Sequence, residues 1–400
     1  MPKTRFNSSD VRAMVRDLRG LALGLRVLNV YDVDSKTYLI KLANPGQEGG
    51  NKLVLLLESG IRFHSTRFDR DKADMPSGFS MKLRKHVRAK RLEDISQLGR
   101  DRVVDFRFGS GENCNHIILE MYAGGNIVLT DKNYEILALL RTHKFEEGVV
   151  TAVKELYPIE HATTLVQAAG ERAEAAPGTL SAASCPEEAM VWLERYVAEA
   201  SAQAAEAGEG AKKKDKKKFT LKVALQSGGA SDLAQYGADV ITHVLLAAGL
   251  EPGRKLVSGA GGGLERDECA SLVRSFSEAL RVYDSLDAPG QNGLILCNGT
   301  VTMDDGSKRP KYDDVVPVAL LQHAAVAEQL SFGSFDEAVD EFFAKAEEQR
   351  LASSADSAEQ SIKNRVEKIR ADQEQRLVAL EAAQGEKRGR ASGAALCESL

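Results

Sequence analysis

The 400-residue sequence has no stretch near the roughly 18 consecutive apolar residues that a membrane span requires. Its first ten residues, MPKTRFNSSD, are polar and lack the apolar core of a secretory signal. Cysteine is sparse: Cys114, Cys185, Cys269, Cys297 and Cys397 are scattered, with no CxxC and no metal-ligand spacing. That usage argues against a disulfide scaffold and fits a reducing, cytoplasmic compartment. The phosphate loop GxxxxGK[ST], the GxSxG elbow, HExxH and the zinc-deaminase pattern are all missing. The run Gly259–Gly263 does not lead from a strand into a helix, so a linker is expected there rather than a dinucleotide loop. No metal and no cofactor is expected.

What is present is charge, unevenly placed. Residues 1–109 carry 22 Lys and Arg against 13 Asp and Glu, a local net of +9 on a chain whose total is −5. The remainder therefore stands near −14. A basic front on an acidic protein points to a polyanion site in that front. The densest part is MPSGFSMKLRKHVRAKRLEDISQLGRDR, residues 75–102, where Lys82, Arg84, Lys85, Arg88, Lys90 and Arg91 crowd together. The spacing predicts a helix with Met81, Leu83 and Val87 on its buried side and cations on the other. Asp101-Arg102 then opens a β-like run, VVDFRFG. A basic helix feeding an acid–base pair suggests a surface that receives nucleic acid and reads one feature of it. A solvated helix beside a core strand explains the same pattern.

An opening helix is predicted over 9–24, with Ser8 or Ser9 as cap and Asp10 in the first turn, where a carboxylate suits the dipole. Capping is by itself a sufficient role for Asp10. From Arg26 short β-rich runs punctuated by turns predict an antiparallel meander, so residues 1–160 are expected to form one α+β domain. Residues 161–218 are expected to be a variable Ala/Glu/Lys-rich insert. It holds one short amphipathic helix marked by Trp192 and Tyr196, and a solvated lysine run over 211–218. Residues 219–333 predict short helices, with His243 packed rather than ligating, and a small β-excursion at LILCNG and Tyr312–Val316. From 334 to 390 the apolar spacing Ile362, Val366, Ile369, Leu377 and Leu380 predicts one arm of a coiled coil.

These segments, taken in order, resemble the NFACT family of ribosome-associated quality-control factors. The resemblance is carried by KTRFNSSDVRAMVRDL, RVLNVYD, LLLESGIRFHST, MPSGFSMKLRKHVR, GRDRVVDFRFG, LEMYAGGNIVLTD, ILALLR, YGADVITHVLLAAGLEP and SFDEAVDEFFAKAEEQR. It implies an N-terminal domain similar in fold to that of glycosylases, a helix-two-turn-helix-like second domain, and then the coiled-coil arm. It also implies binding to the large ribosomal subunit with peptidyl-tRNA, and recruitment of tRNA, chiefly alanyl-tRNA, for template-free tailing of the nascent chain. The bond-forming chemistry belongs to the ribosome, so no enzyme is expected. By motif, Asp10, Asp101 and Arg102 match the positions needed for tRNA-dependent tailing. In the same reading Lys82, Arg84, Lys85 and Arg88 would neutralise RNA backbone phosphates. Ala238 and Thr242 depart from the motif, standing where a proline and an acid are common. The sequence ends inside the first arm, without the second arm or the NFACT-R domain. The resemblance also implies that the family's coiled coil helps a listerin-type ubiquitin ligase engage the complex, which the incomplete arm puts in doubt for this chain.

Two other functions remain open at this level. Some DNA glycosylases attack through an N-terminal proline, and Pro2 is present, but Lys3 rather than an acid follows it. A scaffold acting through the coiled coil is the third possibility.

Overall fold

The first helix, α1 (Ser8–Ala22), shows how the chain organises its front. Asn7, not a serine, is the cap: its side chain accepts from the Asp10 N–H (2.9 Å), and Asp10 Oδ2 accepts from the Asn7 N–H (2.8 Å). Ser8 is already the first residue of the helix, and its hydroxyl donates to the Arg100 carbonyl. Val11, Met14, Val15 and Leu18 form the buried stripe expected from their spacing. Ala22 continues it, while Leu21 is exposed.

A computed structural model describes residues 2–44, 52–122, 124–144, 150–159, 180–206, 220–226, 231–302, 307–326, 328–345 and 362–376. The chain divides into two units, Met1–Thr300 with Pro310–Phe343, and Val301–Arg309 with Ala344–Leu400.

In the first unit, two antiparallel meanders follow α1. The first has the order β1 (Arg26–Asp32), β2 (Thr37–Ala43), β3 (Lys52–Glu58), β4 (Arg62–Ser65). The second runs β5 (Leu92–Gln97), β6 (Val103–Phe108), β7 (Asn115–Glu120), β8 (Asn126–Asp131), β9 (Ile136–Leu139). The helix α2 (Gly78–Val87) lies between them in sequence. Strand β5 was not foreseen: its LEDISQ carries only two apolar residues, Leu92 and Ile95, and both are buried. The sheets are joined at both ends. Val27 N–H donates to the Lys90 carbonyl (2.9 Å), and Gly60 N–H to the Glu120 carbonyl (3.1 Å).

The helical part is built from α3 (Pro186–Glu206), α4 (Leu221–Gln226), α5 (Gly237–Ala247), α6 (Arg266–Arg274) and α7 (Phe276–Ser285). Two expectations change here. First, the region expected to be an insert contributes to the helical core: Ala189, Trp192, Leu193 and Val197 of α3 bury one face with Leu225, Val244, Leu272 and Phe276. Second, Gly259–Gly263 is not a linker but a packed turn. A Cβ at Gly262 would lie 3.2 Å from Leu193 Cβ, and Gly261 N–H donates to Glu194 (2.8 Å).

A three-stranded sheet follows in the order β11 (Lys308–Val316), β10 (Gly293–Thr302), β12 (Glu328–Phe332). Next comes a helix over 335–345. Its front does not begin a coiled-coil arm, contrary to the expected boundary at 334. Phe335, Ala338, Val339 and Phe342 are buried, and Phe335 stacks in a chain of rings with Phe6 (6.0 Å), Phe63 and Phe106. Asp336 accepts from the Ser65 N–H (2.7 Å), which ties this helix to the end of β4.

In the second unit, residues 362–376 are helical, with Ile362, Val366 and Ile369 exposed. Leu377, Leu380 and the lysine run over 211–218 lie outside the described residues. Among the described residues no helix is long and apolar enough to cross a membrane.

Candidate nucleic-acid interface

Helix α2 is fixed at its start by Ser77, whose hydroxyl accepts from the Ser80 N–H (3.0 Å). Asp32, at the end of β1, accepts from both the Ser77 N–H (2.8 Å) and its hydroxyl (2.9 Å). Ser80, Leu83 and Val87 are the buried stripe. Met81 is not on it: it is 52% exposed and shares the outer i, i+4, i+7 row with Lys85 and Arg88. Lys82, Lys85 and Arg88 are exposed, and their side chains have no hydrogen-bond or ion-pair partner among the described residues. Arg84 differs. Its Nε–H donates to the Val30 carbonyl (2.7 Å) and its guanidinium lies 5.6 Å from the Tyr31 ring centroid, so it braces the helix on β1. Burial lowers the pKa of His86, and Lys85, Lys90 and Lys82 lower it further. The imidazole thus senses a positive local field.

The hairpin turn between β5 and β6 carries Asp101 and Arg102, both partly exposed. Gly99 there takes a positive φ of 66°. Asp101 N–H donates to the Leu98 carbonyl (3.2 Å), and Asp101 Oδ1 accepts from the Arg102 N–H (2.6 Å). The Arg102 carbonyl accepts from the Met121 N–H (2.8 Å), while its guanidinium has no partner among the described residues. Arg100 turns the other way. Its guanidinium sits 4.6 Å from the Tyr236 ring centroid and 5.3 Å from that of Tyr283, and donates to Gln235 (2.7 Å). The turn is therefore held by an inward arginine and presents an outward one.

Asp10 does not join this exposed pair. It is 0% exposed, and its carboxylate meets the Lys3 ammonium at 2.9 and 3.0 Å. Burial pushes its pKa up to about 6, against the pull of Lys3 and the Asn7 N–H. Burial alone would lower Lys3, but Asp10 and Asp314 outweigh it and hold the ammonium charged. Lys3 also donates to the Val315 carbonyl (2.7 Å), so the residue after Pro2 is fully engaged. Asp10 connects to the turn through the start of α1, where Ser8 bonds Arg100.

Sequence reasoning missed Lys3, Gln97, Arg100, Tyr236 and Tyr283. Arg100 looked like one more cation beside Asp101, and no local pattern marks an arginine that stacks on residues more than 130 positions away. His243 is packed as expected: one ring nitrogen receives the Leu321 N–H (3.1 Å) and the other faces Glu278 (3.4 Å). The two departures in that motif are bonded together, Thr242 Oγ1 donating to the Ala238 carbonyl (2.8 Å). Among the described residues no group of three His, Cys, Asp or Glu is placed to hold a metal ion.

Residues 7–158 match the family described as NFACT N-terminal and middle domains. The human protein named ribosome quality control complex subunit NEMF is 36% identical over 388 residues, which are 96% of this chain and 32% of that protein. The Schizosaccharomyces pombe protein named ribosome quality control complex subunit 2 is 29% identical over 405 residues, 96% of this chain and 38% of that one. The solved N-terminal part of the fibronectin/fibrinogen-binding protein from Streptococcus suis gives a TM-score of 0.49 at 16% identity, covering 85% of this chain and 99% of that one. The chain spans about a third of the length of the curated relatives it matches. With its opening domain matched by the family and its similarity running through 96% of its length, the chain belongs to the NFACT family.

Proposed function

We propose that this protein is a ribosome-associated quality-control factor that binds RNA through its N-terminal unit. In this reading it engages the stalled large ribosomal subunit with its peptidyl-tRNA and recruits alanyl-tRNA for template-free tailing. The observation that carries the proposal is the similarity over 96% of the chain to proteins named as ribosome quality control complex subunits. The geometry supports an RNA contact: three unpaired cations line one face of α2, and an unpaired arginine stands on a braced turn.

Each residue then has a physical task. Lys82, Lys85 and Arg88 neutralise phosphates without reading sequence, and Arg84 holds their helix in place. Arg102 pairs with a phosphate or stacks on an unstacked base, with Asp101 fixing its backbone. Asp10 acts from beneath, by holding α1 and Lys3 in register. Peptide-bond formation stays with the ribosome.

The test is RNA capture. The native chain and Asp101→Ala/Arg102→Ala are expressed, crosslinked in cells, and their bound RNA sequenced. The expected result is enrichment of large-subunit RNA and alanine tRNA for the native chain, with the tRNA lost in the variant. Sparse or unselective RNA in both would overturn the proposal.

A further inference from the structure

The 98–102 turn is held more tightly than a five-residue hairpin connection needs to be. Loops of this kind are ordinarily the mobile part of a sheet. Here three successive carbonyls are bonded outside the turn: Arg100 O by the Ser8 hydroxyl, Asp101 O by Gln97, and Arg102 O by Met121. Gln97 is the centre of this arrangement. Its Nε2 donates to Asp101 O (2.8 Å) and to Ser8 O (3.2 Å), and its Oε1 accepts from the Tyr283 hydroxyl (3.2 Å). One amide therefore joins the turn, the first residue of α1 and helix α7. Both of its N–H groups and its oxygen are used. Tyr283, 2% exposed, has its ring against the Arg100 guanidinium, so the same tyrosine holds the turn at two points.

We infer that Gln97, backed by Tyr283, is a positioning residue for Arg102: it fixes the recognition turn against the helical core, so that RNA binding is set by both. This rests on the RNA-binding reading above. No substitute at position 97 keeps the arrangement. A carboxylate would put oxygens against two carbonyls, and an apolar side chain would leave Asp101 O unbonded and the Tyr283 hydroxyl with Ser8 Oγ (3.5 Å) alone. The turn would then sample further conformations. Apparent affinity falls by the fraction of molecules that still present Arg102 correctly, so a turn correct one time in ten binds about tenfold more weakly.

The test uses the full chain and a fluorescein-labelled alanine tRNA transcript, with affinity followed by anisotropy and folding by thermal melting. The variants are Gln97→Met, Tyr283→Phe, Arg102→Ala and Gln97→Met/Arg102→Ala. The expected result is about a tenfold loss for Gln97→Met and a smaller loss for Tyr283→Phe. The double variant should bind no more weakly than Arg102→Ala alone, because Gln97 acts only through that arginine. Amide exchange of the 98–103 segment should quicken in Gln97→Met. If Gln97→Met melts cooperatively and binds like the native chain, or if its loss adds fully to that of Arg102→Ala, the inference is overturned while the RNA reading stands. If Gln97→Met does not fold, Tyr283→Phe carries the test, since it removes one hydroxyl only, and unchanged binding and exchange there overturn the inference. If the native chain shows no saturable tRNA binding, both fall together.

Discussion

Asp10 carries two tasks on one carboxylate, closing the capping box with Asn7 and neutralising Lys3. Asp10 itself is fully buried, while Asn7 and Lys3 are half-buried. Removing one side of a buried ion pair costs about 3–5 kcal/mol when the other charge is left uncompensated, and Lys3 keeps Asp314 (3.2 Å) and the Val315 carbonyl, which places the loss at the low end. Asp10→Ala is therefore expected to lose stability on that scale in urea unfolding. Asn7→Ala, which removes only the cap and the Asn7–Asp239 bond (2.7 Å), should lose about 1–2 kcal/mol. Equal losses would show that the Lys3 pair contributes little. Half of this was legible in the sequence. An acid in a first turn signals a cap by local spacing alone, although the cap expected was Ser8 or Ser9 and Asn7 fills the place. Lys3 was not legible, because it sits seven residues away on an extended segment and meets Asp10 only once β11 has packed beside it. The same holds for Arg100, whose aromatic partners come from α7 and the turn before α5.

At the scale of elements, local periodicity was informative and contact between elements was not. The meanders were legible because their strands are short, largely apolar runs and their turns carry Gly, Asp or Asn. Strand β5 was hidden because a charged edge run looks like the tail of the basic helix. Met81 was misplaced because three apolar residues at 81, 83 and 87 do not share one helical row, and Leu83 and Val87 at i, i+4 win. Gly124-Gly125 was legible as a hairpin turn, yet the stronger demand on Gly125 comes from the other sheet. A Cβ there would lie 2.0 Å from the Gly60 nitrogen, and the backbone has a φ of 71°. Gly125→Ala must both adopt a left-handed conformation and push the sheets apart. It is expected to lower stability by roughly 3 kcal/mol or more, read as a fall in melting temperature. Gly111→Ala, also at positive φ but with nothing near its Cβ, should lose only about 1 kcal/mol. Equal losses for the two would mean that strain alone, not the approach of the sheets, fixes Gly125.

At the scale of the whole molecule, the charge asymmetry was the most direct functional signal, since it needs no fold to be read. The sequence could not show which cations are free. Of the four on α2 expected to meet phosphate, Arg84 is occupied by Val30 and Tyr31, while Lys82, Lys85 and Arg88 remain. That division has a measurable consequence. Each phosphate neutralised by the protein releases counterions, and the slope of log K against log salt shifts by about 0.7 for single strands and 0.9 for duplex. Lys82→Ala/Lys85→Ala/Arg88→Ala is therefore expected to make the slope shallower by about 2–3, to a similar extent for every RNA tested. Arg102→Ala should change the slope by about 1 at most, and should instead flatten the preference between alanine tRNA and other tRNAs. The two variants thus separate attraction from reading. If the triple variant keeps the native slope, the phosphate contacts lie elsewhere and α2 is only a solvated basic helix. If it loses slope and preference together, the α2 face and the Asp101–Arg102 turn act on the same part of the RNA.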